Sequence, residues 1–119
     1  MRAETKKTLR SLALNDGHFV ESVLGVGRST IDISGLDQKT HALVRLGASL
    51  AIEAAASSYQ ANVEMALAAG ASVDEIVGTL LAVAPDVGLV RAVAAAPELA
   101  LALGYDVDAA CETPEADDG

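Results

Sequence analysis

The chain has 119 residues, 51% of them hydrophobic and only 3% aromatic, and its 17 Asp and Glu against 8 Lys and Arg leave a net charge of -9. That charge repels phosphate backbones and anionic lipid surfaces, so nucleic acid and membranes are not expected partners. The length suits one domain over residues 1–110 with an acidic tail over 111–119, and its small core side chains bury so little surface each that a helix face needs many neighbours, a first indication of self-association.

Thr5 to Leu14 sets Leu9, Leu12 and Leu14 beside Lys6, Lys7 and Arg10, the pattern of an amphipathic helix. With Arg2, these three bases read as a solvated helix face rather than a nucleic-acid patch in so acidic a chain. Met-Arg-Ala-Glu-Thr-Lys-Lys lacks the apolar run of a secretory leader, and no segment approaches the roughly 20 apolar residues of a bilayer span, so a soluble cytoplasmic protein is expected. Asn15-Asp16-Gly17 interrupts the helix, and Asp16 is placed to cap a second one running to about Leu24, with Phe19, Val20, Val23 and Leu24 on one face. Gly25 and Gly27 release the chain. Arg28 to Gly35, with β-branched Thr30, Ile31 and Ile33, reads as an extended connector.

Asp37 opens the longest predicted helix, to about Ala56, with Leu43, Val44, Leu46, Leu50 and Ile52 around most of its circumference, as in a helix at a bundle centre or subunit interface. Ser57 or Ser58 is placed to cap the next helix, which stops at Gly70. Ser72-Val73-Asp74-Glu75 is a capping box opening a helix to about Ala84. Pro85-Asp86 is expected to break it, Gly88 to Ala95 to resume it, and Pro97 to start a last helix ending near Gly104. The predicted fold class is therefore all-α, a small bundle of about six helices with a central long helix pair. From Glu112 onward the composition is that of a disordered, solubilising tail.

Cys111 is the single cysteine, which rules out an internal disulfide or a two-thiol centre within one chain, and no basic neighbour activates it. His18 and His41 are separated by 22 other residues with no Cys near either, so neither a metal nor a cofactor is expected. Gly25-x-Gly27 precedes no strand-to-helix unit and makes no phosphate cradle.

Four features occur in a telling order: Leu36-Asp37-x-Lys39-Thr40, the small-residue turn Ala55 to Tyr59, Ala66-x-x-x-Gly70-Ala71, and Asp74-Glu75-Ile76 leading into a helix that reaches Gly88. Together they resemble the carboxymuconolactone decarboxylase family over roughly Leu36 to Ala95. The resemblance implies an all-helical domain that assembles into trimers or hexamers around an antiparallel helix pair, so the expected partner is the chain itself, with a small anionic or polar ligand. Redox-active members, similar to the alkyl hydroperoxide reductase D proteins, carry Cys-x-x-Cys followed by a His four residues after the second Cys. The positions that match here are Ala55, Ser58 and Asn62. A Ser hydroxyl cannot cycle between thiolate and disulfide, and Ala55 offers no functional group. In the decarboxylase branch the resemblance implies an anionic lactone as substrate and a His on the helix from Ser58 to Ala69. Asn62 donates hydrogen bonds but transfers no proton near neutral pH.

Other polar residues then come forward as candidates. His41 and Arg45 are four apart on the long helix, either an acid/base with an anion clamp or a polar stripe. Glu53 is the only acid between Asp37 and Glu64. Buried, it has a raised pKa and serves as acid or base; otherwise it is a satisfied structural carboxyl, accepting from Ser57 or standing at a subunit contact. Tyr59 is a ligand-orienting phenol or a packing anchor. Ser58 and Asn62, also four apart, line a polar pocket or sit in one filled by small side chains. Glu53 and His41 are thus the candidate catalytic residues, and Ser58, Asn62, Tyr59 and Arg45 the candidate ligand contacts. Three functions follow: a non-redox enzyme acting on a lactone or carboxylate, a degenerate member that binds a ligand or partner without chemistry, and, least supported, a peroxidase or disulfide reductase.

Overall fold

A computed structural model describes residues 1–24, 30–107 and 109, and among these the chain forms seven α-helices and no strand. Cys111, the tail from Glu112 and the segment from Gly25 to Arg28 lie outside the described residues. No helix among the described residues is long and apolar enough to cross a membrane. The chain divides into two compact units, Met1–Leu36 and Asp37–Gly119.

The first unit holds α1 (Ala3–Ala13), α2 (Gly17–Leu24) and α3 (Ile31–Ser34), with α1 packed on α2. The Asp16 carboxylate accepts from the Phe19 N–H at 3.2 Å, the cap expected from sequence. The predicted extended connector is instead one helical turn at Ile31–Ser34. Ser34 explains the difference, since its N–H donates to the Thr30 carbonyl, its hydroxyl donates to the Ile31 carbonyl at 2.8 Å, and the same oxygen accepts from the Leu36 N–H at 3.1 Å. Such local bonds outweigh the β preference of a short segment with no partner strand.

The second unit is a bundle of α4 (Gln38–Ala51), α5 (Ala56–Ala68), α6 (Val73–Val87) and α7 (Leu89–Ala102), with α4 touching all three others. Its core is a set of helical stripes: Ala42, Leu46 and Leu50 on α4, Tyr59, Val63 and Ala66 on α5, Ile76 and Leu80 on α6, and Ala95 and Leu99 on α7. Small residues let the helices approach closely. A methyl group at Gly47 of α4 would lie 3.3 Å from Val83 Cγ1 and 3.5 Å from Thr79 Cγ2 of α6.

Caps behave largely as the sequence predicts. Asp37 accepts from the Thr40 N–H at 2.7 Å, and in the capping box Ser72 Oγ accepts from the Glu75 N–H while Glu75 accepts from the Ser72 N–H, at 3.0 and 2.9 Å. Helices α1, α4, α5 and α7 close alike: a residue with positive φ (Asn15, Glu53, Gly70, Gly104) follows the cap, and the next N–H reaches back five residues, to Ser11, Ser49, Ala66 and Ala100 respectively.

Three boundaries differ from expectation. Helix α4 stops at Ala51 rather than about Ala56, because Glu53 turns to φ 55 and Ala54 bonds back to Ser49. Ile52, beyond the last core residue of α4, is 77% exposed, so no burial favours extending the helix. Helix α5 is capped by Ala55 without a side-chain bond, and Ser57 and Ser58 lie inside its first turn. Pro85 and Pro97 sit within α6 and α7, which are separated at Gly88. Each proline deprives the carbonyl four residues back of its donor, but those carbonyls belong to Leu81 and Val93, both solvent-exposed, where water can take the donor's place.

The Ser72 N–H bond holds the Glu75 carboxyl below its usual range, and the Thr40 N–H does the same for Asp37. Both values are depressed on folding, so the stability they add is complete above the ordinary carboxylate range and is lost as pH falls through the depressed values. We expect Ser72→Ala to cost about 1 kcal/mol in denaturant titration at neutral pH. Asp37→Asn and Glu75→Gln should flatten the acid limb of a stability–pH profile; an acid limb identical to wild type would show that these caps do not set it.

Candidate functional site

The early stop of α4 exposes its C-terminal end to α7. Arg91, near the start of α7, reaches there with two bonds: Nε lies 3.2 Å from Glu53 Oε1, and Nη1 donates to the Ala51 carbonyl at 3.4 Å. The second contact serves one of the terminal carbonyls for which a helix has no internal donor. Both partners of the ion pair are more than half exposed, so the pair adds little to stability and acts mainly to position the two groups.

Beside this pair lies a cavity of about 300 Å³ lined by Glu53, Tyr59, Arg91 and Glu98, with alanines completing its walls. Tyr59 is almost wholly buried on α5. Burial pushes its phenol above the usual value, and the negative fields of Glu53 and Glu98 add to the shift. It is therefore a neutral hydrogen-bonding group at physiological pH. Glu98 is half-buried, two turns beyond Arg91 on α7, and its carboxylate has no hydrogen bond or ion pair among the described residues.

Of the six residues singled out from sequence, Glu53 and Tyr59 meet here, and the other four do not line this cavity. Glu53 is not the buried carboxyl considered from sequence, and its partner is Arg91 rather than Ser57. His41 is buried on α4, whereas Arg45 is exposed on the same helix. Asn62 donates through Nδ2 to Ser49 Oγ, and that hydroxyl in turn donates to the Arg45 carbonyl at 3.0 Å. Asn62 thereby ties α5 to α4. Ser58 is exposed on the first turn of α5. A larger apolar groove of about 530 Å³ between α4 and α6 includes none of the six. Among the described residues no group of three or more His, Cys, Asp or Glu is placed to hold a metal ion.

Arg91 and Glu98 escaped the sequence reading. A signal was present: Arg91 is the only base after Arg45, and Glu98 lies seven residues on, on the same side of an otherwise apolar helix.

The family model for the carboxymuconolactone decarboxylase family matches residues 17–100. No curated protein and no solved structure matches.

In a variant with Tyr105→Phe, the remaining phenol is Tyr59. Ultraviolet titration should find it ionising above the ordinary tyrosine range, and Glu98→Gln should lower that value. An unmoved titration in Glu98→Gln would separate the two groups electrostatically.

Proposed function

Because the chain belongs to the carboxymuconolactone decarboxylase family, we propose that it is a non-redox enzyme of the cytoplasm acting on a small lactone or carboxylate in the cavity of Glu53, Tyr59, Arg91 and Glu98. The observation that carries this reading is the guanidinium of Arg91 at the wall of a small, alanine-lined space. Its Nε and Nη1 are engaged, but a half-exposed guanidinium carries five N–H donors, more than these two bonds use, which leaves charged donors for a substrate carboxylate. Glu53, fixed beside it, takes the role of proton carrier at the reacting carbon, and the neutral Tyr59 phenol donates a hydrogen bond to charge that develops on a substrate oxygen. Ala55, Ser58 and Asn62 supply no thiol and no proton carrier at the family's redox positions, which is why we set dithiol chemistry aside. The competing reading, a binder without chemistry, draws on the exposure of Glu53 and on Asn62 being tied to Ser49.

We further propose that the protein assembles with copies of itself. Val73, Val77 and Leu81 form an exposed apolar stripe on α6, and Val90, Val93 and Leu101 another on α7. Such faces are costly to leave in water and suit a trimer or hexamer.

Assayed against a panel of small lactones and carboxylates, Arg91→Gln and Glu53→Gln should each lower kcat/KM by about a hundredfold, the scale of one lost charged donor or proton carrier. Turnover unchanged in both removes these roles; saturable binding with no turnover of any substrate favours the binder. By light scattering, Leu81→Glu with Val90→Glu should reduce the particle mass, and a wild-type protein that is already monomeric would overturn the assembly.

A further inference from the structure

The polar groups around the cavity do not balance. Two carboxylates, Glu53 and Glu98, face one guanidinium, and the latter is already paired with Glu53. Tyr59 adds no charge, because its phenol stays protonated. The uncompensated charge is therefore that of Glu98, half-buried in the lining of the same cavity two turns along α7 from Arg91, with no protein partner among the described residues. A ligand bearing only negative charge meets Arg91 favourably and Glu98 unfavourably. One that also carries a cation satisfies both.

The spacing narrows the choice further. Arg91 and Glu98 lie two turns apart on α7, about 10 Å along the helix axis. Between them in sequence Ala94 and Ala95 contribute to the cavity wall, and Ala54 and Ala56 contribute from the α4–α5 junction. The wall beside the two charged groups is thus made of methyl groups, suited to a short methylene chain. A ligand whose two charges are separated along a chain fits residues two turns apart better than an α-amino acid, which carries both charges on one carbon.

Resting on the reading of this cavity as the substrate site, we propose that it takes a small ω-amino carboxylate, with its carboxylate on Arg91, its ammonium on Glu98 and its methylenes against Ala94 and Ala95. Glu98 is then the residue that selects for the amine, and Arg91 the residue that selects for the acid.

The test uses 4-aminobutyrate, butyrate and butylamine as probes, titrated into the full chain and followed by protein amide NMR shifts. Wild type should bind 4-aminobutyrate about tenfold more tightly than butyrate, a gain consistent with one charge-assisted hydrogen bond. Glu98→Gln should bring that ratio close to one while leaving butyrate binding in place. Arg91→Gln should weaken both acids and spare butylamine. Equal binding of 4-aminobutyrate and butyrate by wild type, with both lost in Arg91→Gln, overturns the ω-amino assignment and leaves the carboxylate site standing. Binding of the acids that is indifferent to Arg91→Gln, or no binding of any probe, overturns the site itself and the assignment with it. Amide spectra of the variants that keep the wild-type dispersion separate these losses from misfolding.

Discussion

Burial of one stripe of α4 organises the second unit. Ala42, Leu46 and Leu50 are covered by contacts from α5, α6 and α7 together, and Leu46 and Leu50 are almost completely removed from water. With side chains this small, coverage depends on close approach, and Gly47 permits it where α4 meets Val83 and Thr79 of α6. The stripe ends at Leu50, and so does the reason for the helix to continue. Everything in the candidate site follows from that stop: the Ala51 carbonyl is left for Arg91, and Glu53 is delivered to the same guanidinium.

Features governed by neighbouring residues were legible in the sequence. The all-helical class, the Asp16 and Asp37 caps, the Ser72–Glu75 box and the stops at Gly70 and Gly104 each depend on a few consecutive side chains and their own backbone. Features decided by packing or solvent were not. Proline predicts a break at 85 and a start at 97, yet both lie inside helices, where the carbonyls they leave without donors belong to the solvent-exposed residues Leu81 and Val93. The end of α4 is hidden for a related reason: Glu53 is a good helix former, and only the exposure of Ile52 and the bond from Ala54 to Ser49 show why it leaves the helix.

The site divides along the same line. Glu53 and Tyr59 were identifiable as an isolated acid and a scarce aromatic, but their partners come from α7, far along the chain. The family resemblance sets Ser58 and Asn62, four apart on α5, where redox-active relatives are expected to keep a thiol and a His. It does not reveal that Ser49 has recruited Asn62 into a bond between helices. The Asn62 amide is thus absorbed into the scaffold, while a separate charged group stands at the seam of α4 and α7.

Of the four helices whose positive-φ residue is followed by an N–H bond reaching five residues back, two use glycine and one uses asparagine, the residue types that tolerate this conformation best; α4 uses glutamate. A glycine at position 53 would relax the backbone but abolish the carboxylate facing Arg91. Backbone stability and the ion pair with Arg91 consequently pull this position in opposite directions. Under the proposed function, related chains released from the activity would be expected to drift toward glycine or asparagine at 53, and those still under selection on the cavity to keep the acid.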